Sequence, residues 1–346
     1  MKKQRGRDFP SPLFFAILIL FATFHGEETA MTALLNALPG AVSQGMIWGI
    51  MAIGVYLTYK ILDIADLTVD GSFCTGGAVF VMLFTNGTNV WIALLAALLA
   101  GMLAGLVTGI LNAACGIPAI LCGILTQLGL YSVNMAIMDF KASVAINVTQ
   151  ADTLDKLLVS LRFVQGAIRG DFPVWRHPIL VVGLFTACLI GVLYAFFGTE
   201  LGCALRATGS NGNMARAQGI NTDFCKVLGL MLSNGLVALS GALLCQYNGA
   251  NEINVGRGAI VIGLAAVIIG DVLFSKLFRN FALKLLAVVI GAIIYYIVIQ
   301  VVLAMGMNPN YLKLLSALVV AVFLSLPYWK GRYFSRPVKR GGAANA

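Results

Sequence analysis

The sequence predicts an all-α fold, a polytopic transmembrane helical bundle of about 9–10 spans with broken or half-length helices among them. Three observations carry this. Hydrophobic residues make up 60% of the chain and charged residues only 11%, against roughly 45–50% and about 25% in soluble domains. Mean hydropathy is +0.91. Apolar runs near the roughly 20 residues needed to cross a bilayer recur along the chain. So few charges cannot cover a soluble fold of 346 residues, and the composition leaves room neither for a disordered chain nor for an appended soluble domain.

Residues 1–30 form an N-terminal extension, in which Lys2, Lys3, Arg5 and Arg7 precede an apolar run from Leu13 to Phe24. Three readings fit it: a signal peptide, a short signal-anchor that adds a first span, or a start-site artefact, because Met31 opens an N-terminus of its own. Residues 31–328 form the transmembrane domain. Its long runs are 41–59, 91–114, 118–138, 178–197, 227–247, 283–305 and 312–328, and two shorter, glycine-rich runs cover 70–85 and 258–273. Residues 329–346 form a basic tail.

Lys+Arg 23 against Asp+Glu 14 gives a net charge of +9. The tail carries Lys330, Arg332, Arg336, Lys339 and Arg340, which places the C-terminus in the cytoplasm by the positive-inside bias. Counting back through the crossings puts 199–226, with Arg206, Arg216 and Lys226, and 274–284, with Lys276, Arg279 and Lys284, on the same side. The 60–69 and 115–117 loops join them. The 86–90, 139–177, 248–257 and 306–311 loops fall outside. Membrane topology accounts for the positive charge, so no nucleic-acid partner is expected. Within 139–177, Leu154, Leu157, Leu158, Leu161, Val164 and Ile168 recur at helical spacing, opposite Asp155, Lys156, Arg162 and Arg169. This predicts an amphipathic helix over 152–169, packed on lipid or on the bundle, or docking a partner.

Two short runs have polar, glycine-bearing lead-ins. Ile64-Ala65-Asp66-Leu67-Thr68-Val69-Asp70-Gly71-Ser72 enters 70–85, and Asn251 to Gly258 enters 258–273. Such pairs in two halves of a chain mark a pathway through a bundle, because broken backbone is tolerated only where protein buries it or a cavity borders it. The other reading is two ordinary tight turns. Asp70, Gly71 and Ser72 are candidate pathway residues on this ground. Gln44, Asn112, Gln127, Asn134, Asn234, Gln246 and Gln300 lie deeper in the spans. Most are expected to join helices, and Gln127, Asn134 and Gln246 are candidates for the pathway. Gly101, Gly105 and Gly109 recur at four-residue spacing, which permits close helix packing. Asp63, Asp66, Asp70 and Asp271 are placed near membrane edges.

No GxxxxGK[ST], HExxH or GxSxG motif occurs, so nucleotide hydrolysis, zinc proteolysis and serine-hydrolase chemistry lack their residues. Seven scattered cysteines without CxxC spacing and two histidines, His25 and His177, support neither a metal site nor a disulfide framework. No metal and no cofactor is expected in this chain.

The loop after 178–197 runs Gly202-Cys203-Ala204-Leu205-Arg206-Ala207-Thr208-Gly209-Ser210-Asn211-Gly212-Asn213-Met214-Ala215-Arg216-Ala217-Gln218-Gly219-Ile220-Asn221. Asn211 or Asn213 can cap a short helix there and Gly219 can end it. A small-residue helix of this kind fits a shallow groove on a cytosolic partner; a plain structured loop is the alternative.

Arg206-Ala207, Gly209, Asn211, Met214-Ala215 and Gly219-Ile220-Asn221 resemble the coupling region of ABC importer permeases of the branched-chain amino acid and ribose type. Asp66-Leu67-Thr68-Val69-Asp70-Gly71-Ser72-Phe73 and Gly123-Ile124-Leu125-Thr126-Gln127-Leu128-Gly129-Leu130-Tyr131-Ser132 look closer to one subfamily, the tryptophan/tyrosine-type permeases. The resemblance runs from Met31 to Pro327. It implies a permease that works as a pair, a homodimer in a bacterial cytoplasmic (inner) membrane. Two cytosolic ATP-binding subunits holding ATP-Mg would lie below it, and an extracytoplasmic solute-binding protein above. It also implies a small, amino acid-like and aromatic solute, with selection made mainly by the binding protein. Arg206, Gly209, Asn211, Met214, Ala215, Arg216, Gly219 and Ile220 would then couple the permease to the ATPase. Ala215 is expected to sit in the partner's groove, and Arg216 either faces solvent and lipid phosphate or pairs with an acidic residue of the ATPase. The competing reading is an ion-coupled secondary transporter, which shares spans and broken helices. It would place an ionisable group at a span's centre, and no Lys or Arg is expected there beside a carboxylate.

Overall fold

The computed structural model describes residues 28–146, 157–160, 177–274 and 280–304, with Phe278 and scattered positions from 311 to 325. Helix α1 (Glu28–Tyr56) runs into a π-helical turn, Leu57–Ile61. Then follow α2 (Val69–Thr85), α3 (Val90–Ala113) and α4 (Ala119–Ile137). After α5 (Pro178–Phe197) come two short helices, α6 (Glu200–Ser210) and α7 (Gly212–Ala217). The long α8 (Thr222–Asn248), the shorter α9 (Ala259–Phe274) and α10 (Phe281–Ala304) follow them. Two three-residue strands, β1 (Ser143–Ala145) and β2 (Ala250–Glu252), pair antiparallel.

Six of these helices are long and apolar enough to cross a membrane, and α2 and α9 are the shorter apolar ones. All eight fall on the expected runs. The chain is a multi-pass membrane protein. The 13–24 segment, Lys276, Arg279, the tail from Trp329 and most of 306–328 lie outside the described residues.

Local chemistry sets the ends. Asn89 accepts from the Trp91 amide at 3.0 Å and starts α3. His177 accepts from the Ile179 amide at 3.2 Å, with Pro178 at the first helical position of α5. Gly249, at φ 71°, closes α8 in the left-handed region.

Helix α8 is the hub. Every residue from Ser233 to Tyr247 is buried, with α1, α2 and α3 packed around it. Lipid gives no hydrophobic push between helices, so close backbone approach must hold them. Gly101, Gly105 and Gly109 of α3 do this, lying against Asn234, Leu230 and Val227 of α8, and Gly76 of α2 lies on the Ala238 backbone. The glycine stripe is therefore a packing device, as its spacing indicates. On the periphery, α4 and α5 leave most of their surface open, and Leu121, Leu125, Leu128 and Leu184 are exposed.

Loops expected to share a side of the membrane meet. Strand β1 of the 139–146 segment pairs with β2, just past the end of α8, through Ser143↔Glu252 and Ala145↔Ala250. At the other end, Lys60 pairs with Asp271 at 3.2 Å, and Arg206 stacks on Phe281.

One expectation fails in the residues described. Leu157–Ser160, the middle of the expected amphipathic helix over 152–169, carry no helix, and the rest of that stretch lies outside the described residues. Leu157, Val159 and Ser160 are all buried. The Leu158 amide donates to Gln246 Oε1 at 3.2 Å. A backbone group committed to a buried side-chain amide is lost to a helical ladder.

Candidate translocation site and coupling element

The two broken lead-ins converge. The Asp70 carboxylate, at the start of α2, accepts from the Gly258 amide at 2.8 Å and from the Ile260 amide at 2.9 Å. It therefore caps α9 from another element, satisfying amides that the helix itself cannot. Gly256, just before that cap, packs on the Asp70 and Cys74 backbone. Phe73, three residues past Asp70, stacks on Trp48 with ring centroids 4.8 Å apart. Trp48 lies near the middle of the span Ala37–Ile61. The junction of the two short helices therefore lies close to the middle of that helix.

A buried polar chain fixes the start of α2. Asp66 accepts from the Thr68 amide at 2.9 Å and from Asn234 Nδ2 at 2.7 Å. Asn234 Oδ1 in turn accepts from the Ser72 hydroxyl at 2.6 Å. The Thr68 and Thr108 hydroxyls lie 2.8 Å apart, and Thr108 donates to Thr126 at 3.0 Å. The chain ties α2, α3, α4 and α8 together, each polar atom meeting another where water cannot. Ser72 belongs to this chain.

Beside the junction lies a cavity of about 380 Å³, within the usual size of a small-molecule site. Asp70, Gly71 and Cys74 of α2, Gln127, Leu128, Tyr131 and Asn134 of α4, and Ile253 and Arg257 of the second lead-in border it. Four residues singled out from sequence, Asp70, Gly71, Gln127 and Asn134, come together here. Ser72 and Gln246 do not; Gln246 is fully buried against Leu158. Gln127, Tyr131 and Asn134 follow each other at helical spacing, so they form one polar stripe on an otherwise apolar helix. Asn134 donates to the Gly71 carbonyl at 3.3 Å, and its Oδ1 has no partner among the described residues.

Sequence reasoning missed Tyr131 and Arg257. The Arg257 guanidinium lies over the Tyr131 ring, 5.9 Å from its centroid, within cation–π range. Arg257 shares the cavity with Asp70, although it lies outside the membrane-spanning helices. The signal was available, since Arg257 lies inside the second broken lead-in.

On the side of Lys60 and Phe281, the expected coupling loop forms two helices. Thr199 caps α6 through the Gly202 amide at 3.3 Å, and Asn211 caps α7 through the Met214 amide at 3.1 Å. Gly219, at φ 81°, ends α7, and Asn221 caps α8 through the Phe224 amide at 3.1 Å. Most of the expected residues build this element. Arg206 donates to the Phe197 carbonyl and stacks on Phe197 and Phe281 at 5.5 and 5.1 Å. Gly209 packs on the Ile61 carbonyl, and Ile220 is packed on the core. Ala215 is 3% exposed and faces its own chain, whereas Met214 is 62% exposed. Arg216 bonds Thr222 at 2.6 Å and Asp223 at 3.0 Å, so its acidic partner lies within this chain.

Comparison with known proteins supplies the family. The model of the branched-chain amino acid transport system permease component matches residues 38–324. A tyrosine transport system permease protein of Clostridioides difficile is 37% identical over 291 residues, 84% of this chain and 91% of its own. An uncharacterized protein of Rickettsia prowazekii is 34% identical over 293 residues, 84% of this chain and 98% of its own. A fructose import permease protein of Bifidobacterium longum is 26% identical over 284 residues, covering 81% and 74%. With its two shorter apolar helices meeting beside the cavity and a family match over residues 38–324, the chain belongs to the permease components of the branched-chain amino acid transport system family.

Proposed function

We propose that the chain is the translocation subunit of an ATP-driven importer that carries a small, amino acid-like, aromatic solute into the bacterial cytoplasm. The junction of α2 and α9 beside a cavity bordered by Asp70, Gln127, Asn134 and Arg257 is the observation that carries this reading. ATP is hydrolysed by a separate cytosolic subunit that holds ATP-Mg, and this chain supplies the path. Two copies work together, an extracytoplasmic binding protein delivers the solute, and the C-terminus lies in the cytoplasm. The α6–α7 element, with Met214 outward, meets the ATPase. The tyrosine transport relative supports the aromatic solute.

Reconstitution of the permease with its ATPase and binding protein in proteoliposomes tests the reading. L-tyrosine uptake should require ATP and persist when the proton gradient is collapsed. Uptake that survives without ATP and stops with the gradient would show a secondary transporter instead.

Gly71→Leu should cut uptake about tenfold or more, because a Cβ there would come 2.9 Å from Leu130 Cδ1 and 3.3 Å from the Gln127 Cα. The larger side chain must push α4 away from α2 and distort the cavity between them. Normal uptake at normal abundance would show that the α2–α4 contact is free to adjust.

A further inference from the structure

Arg257, an exposed cation of the second lead-in, borders the cavity beside Asp70. Among the described residues no carboxylate pairs with it. Asp70 borders the same cavity, but the amides of Gly258 and Ile260 hold its two oxygens. What Arg257 meets is the face of Tyr131, 5.9 Å from the ring centroid. That contact steadies the guanidinium and leaves its planar fork of donors unspent, the geometry that fits a carboxylate. Asn134 presents the opposite need. It is 1% exposed, its amide nitrogen is committed to the Gly71 carbonyl, and its Oδ1 lacks a partner among the described residues. A buried acceptor without a donor is uncommon, and the residue that carries it borders the cavity.

We propose that Arg257 and Asn134 hold the two ends of a zwitterionic amino acid in transit, the guanidinium taking the carboxylate and the Asn134 Oδ1 accepting from the ammonium. This rests on the functional reading above and deepens it. A neutral sugar would leave the guanidinium without a counter-charge, whereas an amino acid satisfies both groups at once. Tyr131 is the positioning residue, holding the guanidinium over its ring.

The test uses the complete reconstituted complex, radiolabelled L-tyrosine and ATP, at matched recovery of assembled complex. Arg257→Ala should lower uptake about tenfold or more, the scale of a charged group left without its partner. Arg257→Lys should retain clearly more uptake than Arg257→Ala, because it keeps the charge without the fork. Asn134→Leu should lose uptake, and Asn134→Asp, which keeps an acceptor, should retain it. Tyr131→Phe should match the wild type, while Tyr131→Leu should not. Wild-type uptake by Arg257→Ala overturns the assignment alone, as does an Arg257→Lys no better than Arg257→Ala. Loss of complex assembly in both Arg257 variants would show a structural charge and also overturns it. Absence of ATP-driven tyrosine uptake in the wild type overturns the functional reading and this assignment with it.

Discussion

Asp70→Ala should abolish most ATP-driven uptake and lower the thermal stability of the purified permease. The carboxylate accepts from two amides at the start of α9, 2.8 and 2.9 Å away. Removing it strands both donors where water is scarce, at about 1–3 kcal/mol for each unsatisfied group. It also removes a negative charge from a helix N-terminus, worth a further 0.3–1 kcal/mol or roughly that. Asp70→Asn is the informative partner. Its one oxygen can serve one amide while its NH2 opposes the other, so it should fall between wild type and Asp70→Ala. Uptake assays beside thermal unfolding check this. Equal, wild-type behaviour of both variants would mean that the two broken helices do not depend on each other.

The second large effect lies in α7. Met214→Asp should leave the permease folded and inserted, because Met214 is 62% exposed, yet it should sharply reduce the stimulation of ATP hydrolysis by loaded binding protein. Ala215→Asp acts differently. It forces a charge into a position that is 3% exposed, so α7 itself should come loose and co-purification of the ATPase should drop as well. Gly219→Val should resemble Ala215→Asp, since φ 81° suits glycine and costs a β-branched residue about 1 kcal/mol or more. Arg216→Ala should change little, because its pair with Asp223 is exposed and such pairs contribute about 0–1 kcal/mol. Comparing ATPase stimulation with co-purification separates the first outcome from the others. Undiminished stimulation in Met214→Asp and Ala215→Asp together would remove α7 from the coupling role.

The spans were legible because a bilayer demands long apolar runs, and Asn211 and Gly219 were legible because caps have few alternatives. What sequence could not supply was direction. In α7 it showed a small residue at Ala215 but not that the methyl points inward and Met214 outward. It showed seven amides in the spans but could not sort Asn234, which bonds Asp66 and Ser72, from Asn134, which borders the cavity. That sorting depends on which helix each amide faces, and helix neighbours are not written in local spacing. Tyr131 looked like any aromatic residue in an apolar run. Arg257 looked like part of an outer loop, because only the bond from Gly258 to Asp70 brings that loop to the start of α2. The missing helix at Leu157–Ser160 has the same origin: apolar residues at helical spacing were buried by a partner, Gln246, that lies far along the chain.

The most direct measurement is thiol accessibility in the cavity. Tyr131→Cys, in a chain whose native cysteines have been replaced, is exposed to a membrane-impermeant reagent from each side of the reconstituted complex. The reaction is followed without nucleotide and with the ATPase trapped in its ATP-bound state. If the cavity beside Asp70 and Arg257 is part of the path, the cysteine should react from one side in the first state and from the opposite side in the second. Labelling that is absent from both sides, or identical in the two states, would contradict a translocation path at the junction of α2 and α9.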